Sequence, residues 1–107
     1  MLPNIGNLQK QVQKMQQDML SLQEKLDAER LETSSGGGMV TVTTSGMGEV
    51  LQIKIAPEVV DPNDIEMLQD LIVTAVRDAI KKAQDHHGEK MSEVAGPFAG
   101  KIPGMNF

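Results

Sequence analysis

Hydrophobic residues recur along the first quarter of the chain at alternating spacings of three and four positions. The members of this seam are Ile5, Leu8, Val12, Met15, Met19, Leu22 and Leu26. The spacing predicts an α-helix from about residue 4 to residue 31, roughly 40 Å long at 1.5 Å per residue. A single a/d stripe is narrower than the apolar face of most globular helices. The seam therefore implies a helical neighbour, which is either a second helix of the same chain or a helix of another chain.

The pattern then changes to alternation, with many β-branched side chains. Residues 39–44 and 49–55 predict two β-strands, and the Ser-Gly-Met-Gly segment at 45–48 predicts the hairpin connection between them. Residues 31–34 are a weaker strand candidate, which the glycine-rich turn at 35–38 would fold back onto the strand at 39–44. All of these strands are expected to be antiparallel.

A second helix is predicted after Pro57, which ends the sheet. Asn63 followed by Glu66 fits a capping box, and Asp61-Pro62 offers an alternative start one turn earlier. The apolar positions form a broad stripe that suits a helix lying on a sheet. They are Leu68, Leu71, Ile72, Ala75, Val76, Ala79, Ile80 and Ala83.

The end of the second helix is less sharply marked than its start. Gly88 is expected to fray or end it, with Met91 and Val94 as a weaker continuation. Three glycines and two prolines fall in residues 96–107, which predict a flexible C-terminal tail. The chain therefore divides into one domain, residues 1–95, and this tail.

The element order is α-β-(β)-β-α, which predicts a two-layer α+β fold. In its last strand we expect Leu51, Ile53 and Ile55 to form one buried face, while Gln52 and Lys54 face away. A sheet of so few strands leaves its edges open, and a chain of 107 residues buries a modest core. Both features favour dimerisation.

Composition excludes several classes of protein. The chain has no cysteine, which excludes disulfides, thiolate metal sites and cysteine nucleophiles. No secretory signal and no membrane-spanning stretch are visible, so a cytoplasmic protein is expected. The two aromatic residues, Phe98 and Phe107, both lie in the last ten positions. The core must therefore be built from aliphatic residues and methionine.

The formal net charge of −5 disfavours nucleic acid at first sight, but the charges are segregated along the chain. Lys10 and Lys14 lie in a stretch without acids and are neighbours on one face of the first helix. Arg77 and Lys81 repeat this arrangement on the second helix, with Lys82 beside them. Residues 55–76, between these groups, carry five acids and no base: Glu58, Asp61, Asp64, Glu66 and Asp70.

Other candidate motifs fail on their context. The Gly36-Gly37-Gly38 run lacks the Gly-Lys-Ser/Thr ending of a phosphate loop and precedes a strand, so a turn is the better interpretation. Asp85, His86 and His87 suggest a metal site, but adjacent histidines point about 100° apart on a helix. A fraying, exposed helix end is expected there. Without a catalytic triad or a cofactor fingerprint, neither an enzyme nor a cofactor, metal or small-molecule substrate is expected.

Several segments together resemble the YbaB/EbfC family of nucleoid-associated proteins. Besides the Gln- and Lys-rich first helix with methionines in its seam, they are residues 35–42 (SGGGMVTV), 46–50 (GMGEV), 53–55 (IKI), 66–72 (EMLQDLI), 75–79 (AVRDA) and 102–105 (IPGM). The resemblance covers nearly the whole chain. It implies a three-stranded antiparallel sheet, in the order 1-2-3, flanked by the long N-terminal and C-terminal helices, and a tweezer-shaped homodimer.

The resemblance also implies double-stranded DNA as the partner, a cytoplasmic and nucleoid location, and no cofactor. It directs attention to charged residues on the two long helices, here Lys10, Lys14, Arg77, Lys81 and Lys82. Without a recognition helix or stacking aromatics, we expect contact with the DNA backbone and little sequence preference. Such a protein would compact the chromosome or regulate gene expression. The alternative is a protein-interaction module that partners a replication or recombination factor, with DNA binding incidental.

Overall fold

Three antiparallel strands and two long helices make up the fold in the computed structural model, which describes residues 5–99. In chain order the elements are α1 (Ile5–Ala28), β1 (Arg30–Ser35), β2 (Val40–Ser45), β3 (Val50–Ile55), a 3₁₀ turn (Pro57–Val59) and α2 (Ile65–Ala99). The sheet has the order β1-β2-β3. The predicted α-β-β-β-α order and α+β class are therefore confirmed, and the weak first strand is real.

The register of the sheet defines an inner face that packs against α2. Val42 pairs with Thr33 on one side and with Ile53 on the other. Since directly paired residues share a face, these three side chains point the same way. Val40 and Val42 are fully buried, and so is the third inner residue of β2, Thr44.

Helix α2 covers the inner face with small side chains. Ala75, Ala79 and Ala83, spaced four residues apart, are buried and face the sheet. Ala75 and Ala79 join Val40, Val42 and Val59 in one core cluster. Because alanine carries only a methyl group, the helix backbone approaches the strands closely.

The predicted burial of β3 is wrong. Leu51, Ile53 and Ile55 are 43%, 40% and 37% exposed, and the other residues of the strand are exposed as well. The reason is the position of α2, which packs on β1 and β2 and leaves β3 uncovered. Ile53 and Ile55 share the inner face, but the pairing steps from Thr43–Gln52 to Thr44–Val50, which leaves Leu51 at a β-bulge. Within the described chain no helix packs over this side of β3.

The α1 seam is closed along half of its length. Leu22 and Leu26 are buried and Met15 and Met19 are partly buried, whereas Leu8 and Val12 are 58% and 55% exposed. The side chain of Ile5 lies outside the described residues. The C-terminal half of α1 packs against α2 and β2 of the same chain. The question left open by the spacing is therefore answered for this half, whose helical neighbour is α2.

Both ends of α2 differ from the sequence pattern. Asp64, not Asn63, caps the helix, since its Oδ1 accepts a hydrogen bond from the backbone N–H of Met67 at 3.2 Å. At the other end the helix continues through Gly88 to Ala99. It passes the predicted start of the tail by four residues, and residues 100–107 lie outside the described part.

Candidate nucleic-acid interface

Lys10 and Lys14 form a pair on α1 that points away from the seam. Lys10 follows Leu8 by two residues and Lys14 follows Val12 by two, and two residues turn a helix by about 200°. Both lysines are exposed, and within residues 6–94 neither has an ion-pair partner. Asp18 lies one turn beyond Lys14 but forms no ion pair with it within the described residues. Two ammonium groups one turn apart are suited to neighbouring phosphates.

Arg77 and Lys81 form the equivalent pair on α2. Each follows a buried alanine, Ala75 or Ala79, by two residues, so both point away from the sheet. Lys81 Nζ lies 3.0 Å from Asp85 Oδ2, with side chains 75% and 66% exposed. An ion pair this exposed contributes at most about 1 kcal/mol to the stability of the fold. Lys81 can therefore leave the Asp85 carboxylate and bind a phosphate instead.

Lys82, next to this pair, makes a hydrogen bond to the sheet. It follows Ala79 by three residues, which places it on the flank of α2 nearest β1. Its Nζ donates a hydrogen bond to the backbone carbonyl of Glu32 at 2.8 Å. Lys82 still lines the same surface cleft as Lys81, together with Asp78 and Asp85.

The two pairs lie far apart along the molecule. Glu29, next to the end of α1, contacts His86 of α2, and the helices run antiparallel from that point. Counting 1.5 Å per residue in opposite directions from this contact separates Lys14 from Lys81 by about 30 Å and Lys10 from Arg77 by about 40 Å. One chain therefore presents two separate cationic sites.

Other basic residues are engaged in the fold. The guanidinium of Arg30 donates to the backbone carbonyls of Asp27 and Glu29 at 2.8 and 2.9 Å, where α1 ends. A cation at that position satisfies helix carbonyls that have no partner in the helix. Lys90 lies 3.7 Å from Glu93 on the next turn of α2. These two residues are weaker candidates for DNA contact than the two pairs.

Acidic residues at the start of α2 accept hydrogen bonds from backbone N–H groups. Asp61 Oδ1 accepts from the N–H of Asn63 at 2.9 Å, and Asp64 caps the helix. Glu66 and Asp70 line a cleft of about 430 Å³ beside Ser35 and Gly36. The carboxylates therefore mark one end of the molecule, on the far side of Arg77 from the α1 pair.

Sequence reasoning missed the role of His86. The expected fraying helix end is wrong, because His86 is partly buried and its Nε2 hydrogen-bonds Glu29 Oε2. The contact joins the α1–β1 corner to α2, so it helps to fix the angle between the helices. A histidine beside the predicted helix end gives no signal of this in sequence. Among the described residues, no group of three potential ligands is arranged to hold a metal.

Neither described helix contains a stretch long and apolar enough to cross a bilayer. The large apolar side chains that remain exposed lie on α1, α2 and β3, and at Met47 and Val60 in the connections. They are candidates for contact with another protein surface.

Comparison with known proteins gives a consistent result. A nucleoid-associated protein of Pelotomaculum thermopropionicum is 50% identical over 102 residues, covering 95% of each chain. One from Alkaliphilus metalliredigens is 50% identical over 103 residues, covering 96% of this chain and 89% of that protein. The crystal structure of an uncharacterized Helicobacter pylori protein superposes with a TM-score of 0.71 at 26% identity, covering 79% of this chain and 89% of the other.

A family model extends the comparison across almost the entire sequence. The model described as the YbaB/EbfC DNA-binding family matches residues 1–98, which include both cationic pairs and the whole sheet. This is a DNA-binding family and not a known enzyme family. The chain, with its three-stranded sheet between two long helices, therefore belongs to the YbaB/EbfC DNA-binding family.

Proposed function

We propose that this protein is a nucleoid-associated protein that binds double-stranded DNA as a homodimer, through phosphates and with little sequence preference. The observation that carries the proposal is the family match over residues 1–98. The relatives' names support a nucleoid location. On this proposal the protein compacts DNA or regulates genes and performs no catalysis.

The two cationic pairs are the proposed contacts. Their separation of about 30 to 40 Å is close to one turn of B-DNA, about 34 to 36 Å. Lys10 and Lys14 would hold one stretch of phosphates and Arg77 and Lys81 another. Lys82, already bound to the Glu32 carbonyl, is the weakest of the five predicted contacts.

The proposed homodimer rests on the apolar surface that one chain leaves open. Besides the three β3 side chains, Val73 and Ile80 of α2 are 47% and 37% exposed. Several large apolar side chains left exposed on a small protein favour a protein interface. A second copy also doubles the number of possible phosphate contacts, so that two copies of each cationic pair can act on one duplex.

The experiment is a salt-titrated DNA-binding assay on the Lys10→Gln/Lys14→Gln variant. We expect weaker binding to every duplex and a shallower plot of log affinity against log salt, by about 0.9 for each phosphate that the variant no longer neutralises. The matched control is Lys54→Gln/Lys90→Gln, which removes the same charge elsewhere. An equal reduction in both variants would mean that charge alone matters, and an unchanged slope in the first would remove α1 from the interface.

A protein-interaction module is the second candidate, favoured by the exposed half of the α1 seam. Leu8 and Val12 are exposed in an otherwise regular apolar stripe. If this were the protein's main function, the wild-type chain would fail to shift DNA at micromolar concentration and near-physiological salt. A shift that depends on the cationic pairs would favour DNA binding instead.

A further inference from the structure

We propose that the hydrogen bond between His86 and Glu29 positions α1 for DNA binding, because it sets the direction of the helix and thereby the separation of the two cationic pairs. This inference rests on the proposed function, since it takes the two pairs as the DNA contacts. It is carried by the rigidity of the α1–β1 corner (residues 26–30), by the place of the bond at that corner, and by the length of α1 beyond it.

The α1–β1 corner is held firmly to the rest of the fold. The backbone N–H groups of Gly46 and Glu29 both donate to the Leu26 carbonyl, at 2.8 and 3.2 Å. The Arg30 guanidinium donates to the carbonyls of Asp27 and Glu29 at 2.8 and 2.9 Å. The backbone of Glu29 is therefore restrained on both sides, which places its carboxylate in a defined position.

His86 reaches this carboxylate from α2. Its Nε2 hydrogen-bonds Glu29 Oε2, and the two side chains are 24% and 38% exposed, so the bond is partly shielded from water. The other contact of this part of α1 is apolar, through the buried Leu22 and Leu26. Apolar packing has no preferred direction, whereas a hydrogen bond requires a particular angle. The His86–Glu29 bond therefore supplies the directional restraint between the corner and α2.

The length of α1 amplifies a small change at this bond. Lys10 lies about 28 Å from Glu29 along the helix, so a rotation of about 10° moves it by about 5 Å. That displacement exceeds the rise of about 3.4 Å between successive phosphates of one DNA strand. Leu8 and Val12 are mostly exposed, so the outer half of α1 offers little resistance to such a rotation. The bond thus determines which phosphates the α1 pair reaches.

The charge of Glu29 allows a test by the sign of an effect. Removing a carboxylate makes the net charge less negative, so charge alone predicts tighter DNA binding for every variant of Glu29. Loss of the positioning bond predicts the opposite for Glu29→Ala. Glu29→Gln removes the same charge but keeps an amide that can hydrogen-bond the imidazole. It should therefore bind DNA at least as tightly as the wild-type protein.

The matched control is Glu24→Ala, which removes one carboxylate from α1 away from the corner. Glu24 is exposed and has no ion-pair partner among the described residues, so this variant should bind DNA slightly more tightly. Glu29→Ala should bind about eightfold more weakly at about 0.1 M salt for each phosphate contact that is lost. Its plot of log affinity against log salt should be shallower by about 0.9 for each such contact.

His86→Ala should weaken DNA binding to the same extent as Glu29→Ala. The double variant Glu29→Ala/His86→Ala should bind no more weakly than either single variant, because all three lack the same bond. Circular dichroism checks that each variant is folded.

Spin labels measure the direction of α1 without DNA, because the natural chain contains no cysteine. Labels are attached to Gln13→Cys on α1 and Ser92→Cys on α2, both at exposed positions. Dilution with unlabelled protein restricts the measurement to distances within one chain. The distance distribution should be narrow with Glu29 or Glu29→Gln. With Glu29→Ala or His86→Ala it should broaden by about 4 Å, the displacement of residue 13 on a rotation of about 10°.

The outcomes separate this inference from the proposed function. If Glu29→Ala bound DNA as tightly as Glu24→Ala, the positioning role would be overturned and DNA binding would stand. Weaker binding with an unchanged distance distribution would also overturn it, since the loss would then have another cause. A wild-type protein that binds no DNA would overturn the proposed function, even if the labels still showed that the bond directs α1.

Discussion

Gly46 shows how a single backbone position joins two layers of this fold. Its N–H donates to the carbonyl of Leu26 at 2.8 Å, which ties the β2–β3 hairpin to the last turns of α1. A Cβ at this position would lie 2.8 Å from the same carbonyl oxygen. Since that oxygen belongs to the backbone, it cannot move aside without displacing α1.

Gly46→Ala should therefore lower the free energy of unfolding by about 2 kcal/mol, in the range of overpacked cores. Urea denaturation measures the change. Gly88→Ala is the matched control, because a Cβ there meets nothing within 4 Å. Alanine is the better helix former, so this variant should gain about 1 kcal/mol. If Gly46→Ala left the free energy of unfolding unchanged, α1 would be only loosely attached to the hairpin.

The sequence predicted Gly46 as a turn residue but gave no sign of this second role. Turn chemistry is local, whereas the approach of Leu26 depends on where α1 packs. The same limit applies to His86, whose partner Glu29 lies 57 residues away in the chain. Gly88 illustrates the reverse error, since its low helix propensity was outweighed by the continuous packing of α2 on either side.

At the scale of elements, α1 consists of a half that is packed and a half that is not. Leu26 is fully buried beside Gly46, while Leu8, from the same seam, is mostly exposed. The two residues are chemically identical and share one helix. They therefore allow a direct comparison of buried and unburied seam positions.

Leu26→Ala should destabilise the protein by about 2 to 5 kcal/mol, as buried leucine truncations do. Leu8→Ala should change stability by less than about 0.5 kcal/mol, as expected of an exposed site. Thermal or urea unfolding of both variants at one protein concentration tests this. A strong destabilisation by Leu8→Ala would show that a partner covers the outer half of the seam in solution.

Periodicity identified both helices and the strands, because each has a repeat set by its own geometry. It could not identify which side of β3 is covered. That depends on the width of α2, which spans two strands and not three. Leu51, Ile53 and Ile55 therefore have the alternation of a buried strand although no element of the described chain lies over them.

At the scale of the whole molecule, charge is ordered along the long axis. The described chain is elongated, 76 Å by 27 Å by 16 Å. The α1 pair lies toward one end, the Arg77 pair is further along, and the carboxylates at the start of α2 are near the other end. DNA should therefore approach the helices and avoid the acidic end. The sequence identified the residues of both pairs, but their separation required the antiparallel contact between the helices.

If the functional unit is a homodimer, thermal stability should depend on protein concentration. We expect the thermal midpoint of unfolding to rise when the protein concentration is raised ~100-fold, from about 1 to about 100 µM. The reason is that association stabilises only the folded state. Gly88→Ala should raise the midpoint at all concentrations without changing this dependence. A midpoint that stays constant across the series would indicate a protein that folds and functions singly.

The bond between Lys82 and the Glu32 carbonyl has a consequence for how large an assembly can become. A sheet with two accessible borders would recruit copy after copy and grow into a filament, since every addition would expose a fresh border. The lysine bound to the outer side of β1 would prevent that edge from accepting a further strand. An assembly of this protein on DNA would then have a limited size.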